Sequence, residues 1–295
     1  MSSEPRREER AARPITVRDI VARKGGEKLV MVSTYDALFA RIADDAGVDI
    51  TLVGDSVGNV VAGFESTLRV TLDQMIYHGA AARRGTTRAL LVVDMPFLTY
   101  HVSAAEALRN CGRVMQETGA QAVKLEGAGP EILDAVGAVT RAGIPVMGHL
   151  GFTPQSVHAL GGFRVQGREA DAAERLVEEA RALESAGAFS LVLELVPAAV
   201  SRRVTEAVRI PTIGIGAGVS CSGQVLVWHD LLGLTDGVAP RFVKRYADLK
   251  SVIETALGRY AADVRSGAYP ETQHTYAMPE AELEKFAPAE ASRKK

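Results

Sequence analysis

Seven short apolar runs, each followed by a stretch of helical periodicity, constrain this chain more than any other feature. They lie at 28–34 (KLVMVST), 50–54 (ITLVG), 89–94 (ALLVVD), 121–126 (QAVKLE), 145–149 (PVMGH), 189–195 (FSLVLEL) and 211–216 (PTIGIG). Each is rich in Val, Ile and Leu and bounded by Gly, Pro or an acid, as parallel strands buried on both faces are. Between them come amphipathic patterns such as YDALFARIADDAG, TLDQMIYHGAAARRG, SAAEALRNCGRVMQETG and AAERLVEEARALESAG, several ending in a C-capping Gly. The pair Ala-Gly shortly before a strand recurs at 46–47, 142–143 and 186–187, with TGA at 118–120, which marks a repeated β/α unit. An eighth strand is expected within 225–240, from QVLVWHDLLGL or DGVAPRF, and the residues do not choose between them. A closed (β/α)8 TIM barrel is the better reading and an open doubly wound sheet the alternative.

A chain of 295 residues suits one such barrel of about 250 residues with extensions. The expected layout is a flexible N-terminal tail over 1–13, a single barrel domain over 14–270 and a C-terminal tail over 271–295. In that last tail MPEAELEKF suits a short helix and APAEASRKK disorder. A net charge of −2 and a pI near 6.3 provide no electrostatic footprint for nucleic acid or an anionic membrane. The two cysteines, Cys111 and Cys221, stand in unrelated contexts and read as reduced core residues. With no CxxC or HExxH pattern, a zinc site is not expected. The N-terminus mixes Arg with Glu and lacks an apolar region, and no run approaches a membrane span, so a cytoplasmic protein is expected.

Within this pattern the charged residues stand in odd places. Asp55, Asp94 and Glu126 end the second, third and fourth apolar runs, and Glu194 sits inside the sixth. Burying an unpaired carboxylate is costly. In a barrel, however, the C-terminal strand ends gather at one mouth where active sites lie. Three carboxylates brought there repel one another unless a cation sits among them, and an oxygen-only donor set suits Mg²⁺. Taken singly, each acid could do no more than cap the next loop. Lys124 and Glu126 alternate across one residue and share a strand face. Asp55 and Ser56 are adjacent, so the 54–56 corner must lie in the turn. His149 ends the fifth run beside Glu126, as a site residue or a structural one. Glu194, flanked by LVL and LV, should have a raised pKa, which suits a general base or acid; a buried Glu held by backbone donors or an Arg is the plainer alternative. The segment GIGAG at 214–218 is either a phosphate-cradling turn or Gly-rich backbone lining the mouth. The long polar loop over 151–168 suits a lid or binding loop.

Read together, TYDALFARI, VGDSVGNVVAG, VVDMPF, VKLEG, GHLGFTPQSVHALGGFRVQGR, LVLELVP and PTIGIGAG resemble the ketopantoate hydroxymethyltransferase family over about residues 14 to 275. The resemblance implies a barrel of the phosphoenolpyruvate mutase/isocitrate lyase type, Mg²⁺ dependence and a homodecamer. It also implies transfer of a hydroxymethyl group from 5,10-methylenetetrahydrofolate to 3-methyl-2-oxobutanoate, giving 2-dehydropantoate in the first step of pantothenate biosynthesis. Carried over motif by motif, the metal-associated acids fall on Asp55, Asp94 and Glu126. The keto-acid contacts fall on Asp55, Ser56, Asp94, Lys124 and His149, and the proton acceptor on Glu194. Chelation of the keto acid by Mg²⁺, with Lys124 beside the keto oxygen, would stabilise the enolate formed when C3 loses its proton. Two rivals use the same residues: Lys124 as the Schiff-base nucleophile of a metal-independent aldolase, and a non-catalytic small-molecule sensor on the same fold.

Overall fold

The computed structural model describes residues 13–237 and 240–286. All seven apolar runs are strands: β1 Leu29–Ser33, β2 Ile50–Val53, β3 Leu90–Asp94, β4 Ala122–Glu126, β5 Val146–Gly151, β6 Ser190–Glu194 and β7 Thr212–Ile215. An eighth, β8 Gly223–Val227, pairs in parallel with both β7 and β1, and the sheet closes as a barrel in sequence order. That closure removes the open-sheet alternative. Of the two candidates for the last strand, QVLVWHDLLGL supplies most of it before turning helical. DGVAPRF forms no strand among its described residues, and 238 and 239 lie outside them.

The helices are α1 Val17–Ala22, α2 Ala37–Asp45, α3 Val57–Val60, α4 Leu72–Gly85, α5 Ala104–Thr118 and α6 Pro130–Arg141. They continue with α7 Ala170–Ala186, α8 Ala198–Ala207, α9 Trp228–Leu231, α10 Leu249–Ser266 and α11 Glu280–Phe286. Their ends are written locally. Thr71 and Gln74 close a capping box on α4, and the Ser103 hydroxyl accepts from the Glu106 amide at the start of α5. At the end of α7, Gly187 turns at φ +106°, and a Cβ there would stand 2.8 Å from the Thr140 hydroxyl, so glycine is required.

Alternation along the strands sorts the apolar residues into two cores. Leu91, Val93, Val123, Leu125, Leu191 and Leu193 join the helices in one buried cluster. Leu29, Met31, Ile50, Leu52, Leu90, Val92, Ala122, Met147, Val192 and Ile213 form the second, inside the barrel, where Ile20 of α1 packs with them. The chain divides into two compact units, the first ending at Ala247 and the second beginning at Asp248. The second holds α10 and α11; the expected helix in MPEAELEKF is α11. Residues 1–12, within the expected N-terminal tail, and APAEASRKK at the other end lie outside the described residues. Among the described residues no helix is long and apolar enough to cross a membrane.

Candidate active site

The inward-facing series on four consecutive strands begins apolar and ends charged. On β3 it runs Leu90, Val92, Asp94; on β4, Ala122, Lys124, Glu126; on β5, Met147, His149; and on β6, Val192, Glu194. An acid can therefore end an apolar run without being stranded, because its side chain leaves the packed interior at the mouth. Sheet register then sets the neighbours, placing Asp94 beside Lys124 and Glu126 beside His149. Asp55 and Ser56 follow β2 in the turn into α3, as their adjacency demands. All seven of these residues line one cavity of about 410 Å³.

Inside it, the Lys124 ammonium stands 3.1 Å from Asp94 Oδ1 and 3.6 Å from Glu126 Oε1. It also lies 3.0 Å from His149 Nδ1. His149 Nδ1 is 3.2 Å from Glu126 Oε1, and Nε2 is 3.3 Å from Glu194 Oε2. Burial, and then the Lys124 charge, hold the imidazole pKa down to about 4, so the ring is neutral at pH 7. A neutral ring with Lys124 donating to Nδ1 carries its proton on Nε2, toward Glu194. Its 3.2 Å approach to Glu126 is then proximity, not an ion pair. Glu194 is thereby joined to the other acids through His149. It ends β6 with its side chain 15% exposed at the cavity.

The electrostatics follow from burial and crowding. Burial, then the Glu126 charge, raise Asp55 to about 6 against the pull of Lys124 and the Gln155 amide. Burial raises Asp94 to about 7, with Lys124 opposing and Asp55 and Glu126 reinforcing. Glu126 and Glu194 are raised as well, burial being the first cause in each. Burial alone would discharge Lys124, but Asp94, Glu126 and Asp55 outweigh it and raise its pKa. A lysine locked as ammonium has no lone pair for a Schiff base, which weighs against the aldolase rival.

The donor set fits a hard cation. Asp94 Oδ1 and Glu126 Oε1 are buried and accept no hydrogen bond, and an added positive charge would satisfy both while lowering the repulsion that raises these pKa values. Among the described residues no three His, Cys, Asp or Glu side chains close on one point. Mg²⁺ does not require such a closed cage, because it keeps water and substrate oxygens among its ligands.

Sequence reading missed three residues. Gln155 and Tyr100, 4% and 0% exposed, sit beneath the acids, and the Tyr35 hydroxyl pairs with Ser56 Oγ at 2.8 Å. Gln155 had a signal in the long loop over 151–168, which does reach the cavity through Pro154, Val157 and Phe163, and Tyr35 lies in the motif TYDALFARI. From GIGAG only Ile215 lines the cavity. Cys111 and Cys221 are buried and free.

The family model described as ketopantoate hydroxymethyltransferase matches residues 14–272. The 3-methyl-2-oxobutanoate hydroxymethyltransferase of Nitratidesulfovibrio vulgaris (strain DP4) is 54% identical over 277 residues, covering 94% of this chain and 90% of the relative. That of Chloroflexus aurantiacus (strain ATCC 29366 / DSM 635 / J-10-fl) is 55% identical over 270 residues, covering 91% and 95%. Among solved structures, 2,3-dimethylmalate lyase, a member of the PEP mutase/isocitrate lyase superfamily, superposes with a TM-score of 0.55 at 15% identity, covering 91% of this chain and 93% of the other. The barrel thus shares the fold of that structure, and the family match spans every strand that feeds the cavity. The chain belongs to the ketopantoate hydroxymethyltransferase family.

Proposed function

We propose that this enzyme transfers a hydroxymethyl group from 5,10-methylenetetrahydrofolate to 3-methyl-2-oxobutanoate, giving 2-dehydropantoate, the first step of pantothenate biosynthesis. The observation that carries the reading is the gathering of Asp55, Asp94, Glu126 and Lys124 with the His149–Glu194 pair in one cavity. Glu194 is the base: its carboxylate faces the cavity, is kept basic by burial, and takes the proton from C3 of the keto acid. Neutral His149 turns Nε2 toward the Glu194 carboxylate, 3.3 Å away, where it can orient it. The Lys124 ammonium lies where negative charge develops on the keto oxygen and stabilises it. Ser56, with its hydroxyl against Tyr35, borders the substrate beside Asp55. Asp55, Asp94 and Glu126 are the residues that would hold Mg²⁺. When bound, Mg²⁺ supplies Lewis-acid polarisation of the keto acid.

The same reading takes residues 14–270 as the catalytic domain, with dispensable tails on either side. It places the enzyme in the cytoplasm as a homo-oligomer, a decamer by family likeness, with no nucleic-acid or membrane partner. The test is product formation. Protein given both substrates and Mg²⁺ should yield 2-dehydropantoate, and EDTA should stop it. Trapping of a keto-acid adduct on Lys124 by borohydride, with turnover indifferent to EDTA, would reverse the reading in favour of the aldolase.

A further inference from the structure

Each of the three acids at the ends of strands β2 to β4 has one oxygen held by an amide. Asp94 Oδ2 accepts from the Asp55 backbone at 3.1 Å. Asp55 Oδ2 accepts from the Gln155 side-chain amide at 2.9 Å, and Glu126 Oε2 accepts from the Gln155 backbone at 3.0 Å. The opposite oxygens of Asp94 and Glu126 are the ones left without a hydrogen bond. Gln155 thus provides two of these three restraints, although it lies in the loop after β5, 100 residues from Asp55.

Its own orientation is fixed as well. The Gln155 amide donates a second hydrogen bond to the Met95 carbonyl at 2.9 Å. Its oxygen accepts from the Tyr100 hydroxyl at 2.7 Å. Tyr100 has one proton to give and gives it here, because its oxygen already accepts from the Glu126 backbone at 3.1 Å. A flipped Gln155 would turn its oxygen toward the Asp55 carboxylate and the Met95 carbonyl, two acceptors with no proton between them.

We propose that Gln155 is the positioning residue of this site, aiming the carboxylates of Asp55 and Glu126 into the cavity, with Tyr100 fixing the sense of its amide. The assignment rests on the keto-acid site of the preceding section. It makes seating of the loop over 151–168 and alignment of the acids one event. Pro154 and Val157, which flank Gln155 in that loop, line the cavity wall. Gln155 touches no reacting atom; it acts through the residues that do.

Gln155→Met keeps the length and volume of the side chain and the backbone donor to Glu126, and removes the donor to Asp55. Gln155→Glu places an oxygen where the amide nitrogen now stands, 2.9 Å from Asp55. Keto-acid binding with Mg²⁺ is measured directly by calorimetric titration, and steady-state kinetics separate KM from kcat. Loss of a hydrogen bond to a charged group predicts weaker binding by roughly 10- to 100-fold for the Met variant. The Glu variant should bind more weakly still, and KM should rise by more than kcat falls. Tyr100→Phe should reproduce part of the defect, and the double variant should lose less than the product of the single losses. A folded Gln155→Met protein that binds keto acid as tightly as the parent overturns the proposal and leaves the transferase reading standing. If that variant does not fold, parent-like binding by Tyr100→Phe overturns it in the same way. A parent protein that binds no keto acid overturns the transferase reading, and this one with it.

Discussion

Replacing Glu194 by Gln isolates the proton-transfer step from everything else the cavity does. The variant keeps the size of the side chain and a carbonyl oxygen that can still accept from His149 Nε2, now 3.3 Å away. His149 therefore keeps its tautomer and its contact with Lys124, and the three acids on β2 to β4 are untouched. What disappears is the basic oxygen that faces His149 Nε2, while His149 itself spends its free nitrogen lone pair on Lys124. A positioned base contributes about 10²–10⁴-fold to a rate. At about 1.36 kcal/mol per tenfold, that is a barrier increase of roughly 3–5 kcal/mol. The assay is exchange of the C3 proton of 3-methyl-2-oxobutanoate in deuterated buffer at saturating keto acid and Mg²⁺. Affinity for the keto acid should stay near the parent value while exchange falls by that factor. In the parent the active form is the carboxylate, populated above a pKa that burial raises. The acid limb of the exchange profile should therefore lie above the ordinary glutamate range near about 4.3. Glu194→Gln protein with parent-like exchange at saturation and weakened metal-dependent binding would refute the reasoning and move Glu194 into the cation's surroundings.

Three further outcomes test the frame around the site. Gly151 has φ +90°, and a Cβ there would meet the Glu194 carbonyl oxygen at 2.2 Å, so Gly151→Ala should lower stability by at least about 3 kcal/mol in chemical denaturation. Burial works to raise the Asp44 pKa, but the Ala89 amide, the Thr87 hydroxyl and the amides of Arg88 and Thr87 more than offset it and hold it low. A carboxylate with a lowered folded pKa stabilises above the unfolded value and loses that contribution as pH falls through the folded one. Asp44→Asn should therefore cost about 2–3 kcal/mol at neutral pH, a difference that shrinks below pH ~4 in denaturation series run across pH. Truncation after Tyr276, whose side chain is fully exposed, should leave folding and turnover nearly unchanged, checked by thermal melting and the product assay.

The strand-end residues were legible because a period of two forces them to share a face with the barrel's inner core. Leu90, Val92 and Asp94 point the same way whatever the loops do, and so do Lys124 and Glu126. What joins them is not written in any local period. Gln155 meets Asp55 across 100 residues and Met95 across 60, through a loop whose length hints at function without naming the residue. Tyr100 had no signal, being one aromatic in a turn after β3. The eighth strand was ambiguous for a physical reason. Gln224 on its outer side is exposed and its last two residues are only partly buried, so the apolar pattern that marks the other strands is weak there.

The claim that these residues form a carbon-acid site is tested most directly by C3 exchange in the unaltered protein, without the folate. With Mg²⁺ present, 3-methyl-2-oxobutanoate should lose its C3 proton to deuterated solvent at a rate proportional to enzyme, and EDTA should abolish the exchange. Tight binding of the keto acid with no exchange at any pH would contradict the account and point to a binding protein on an enzyme's fold.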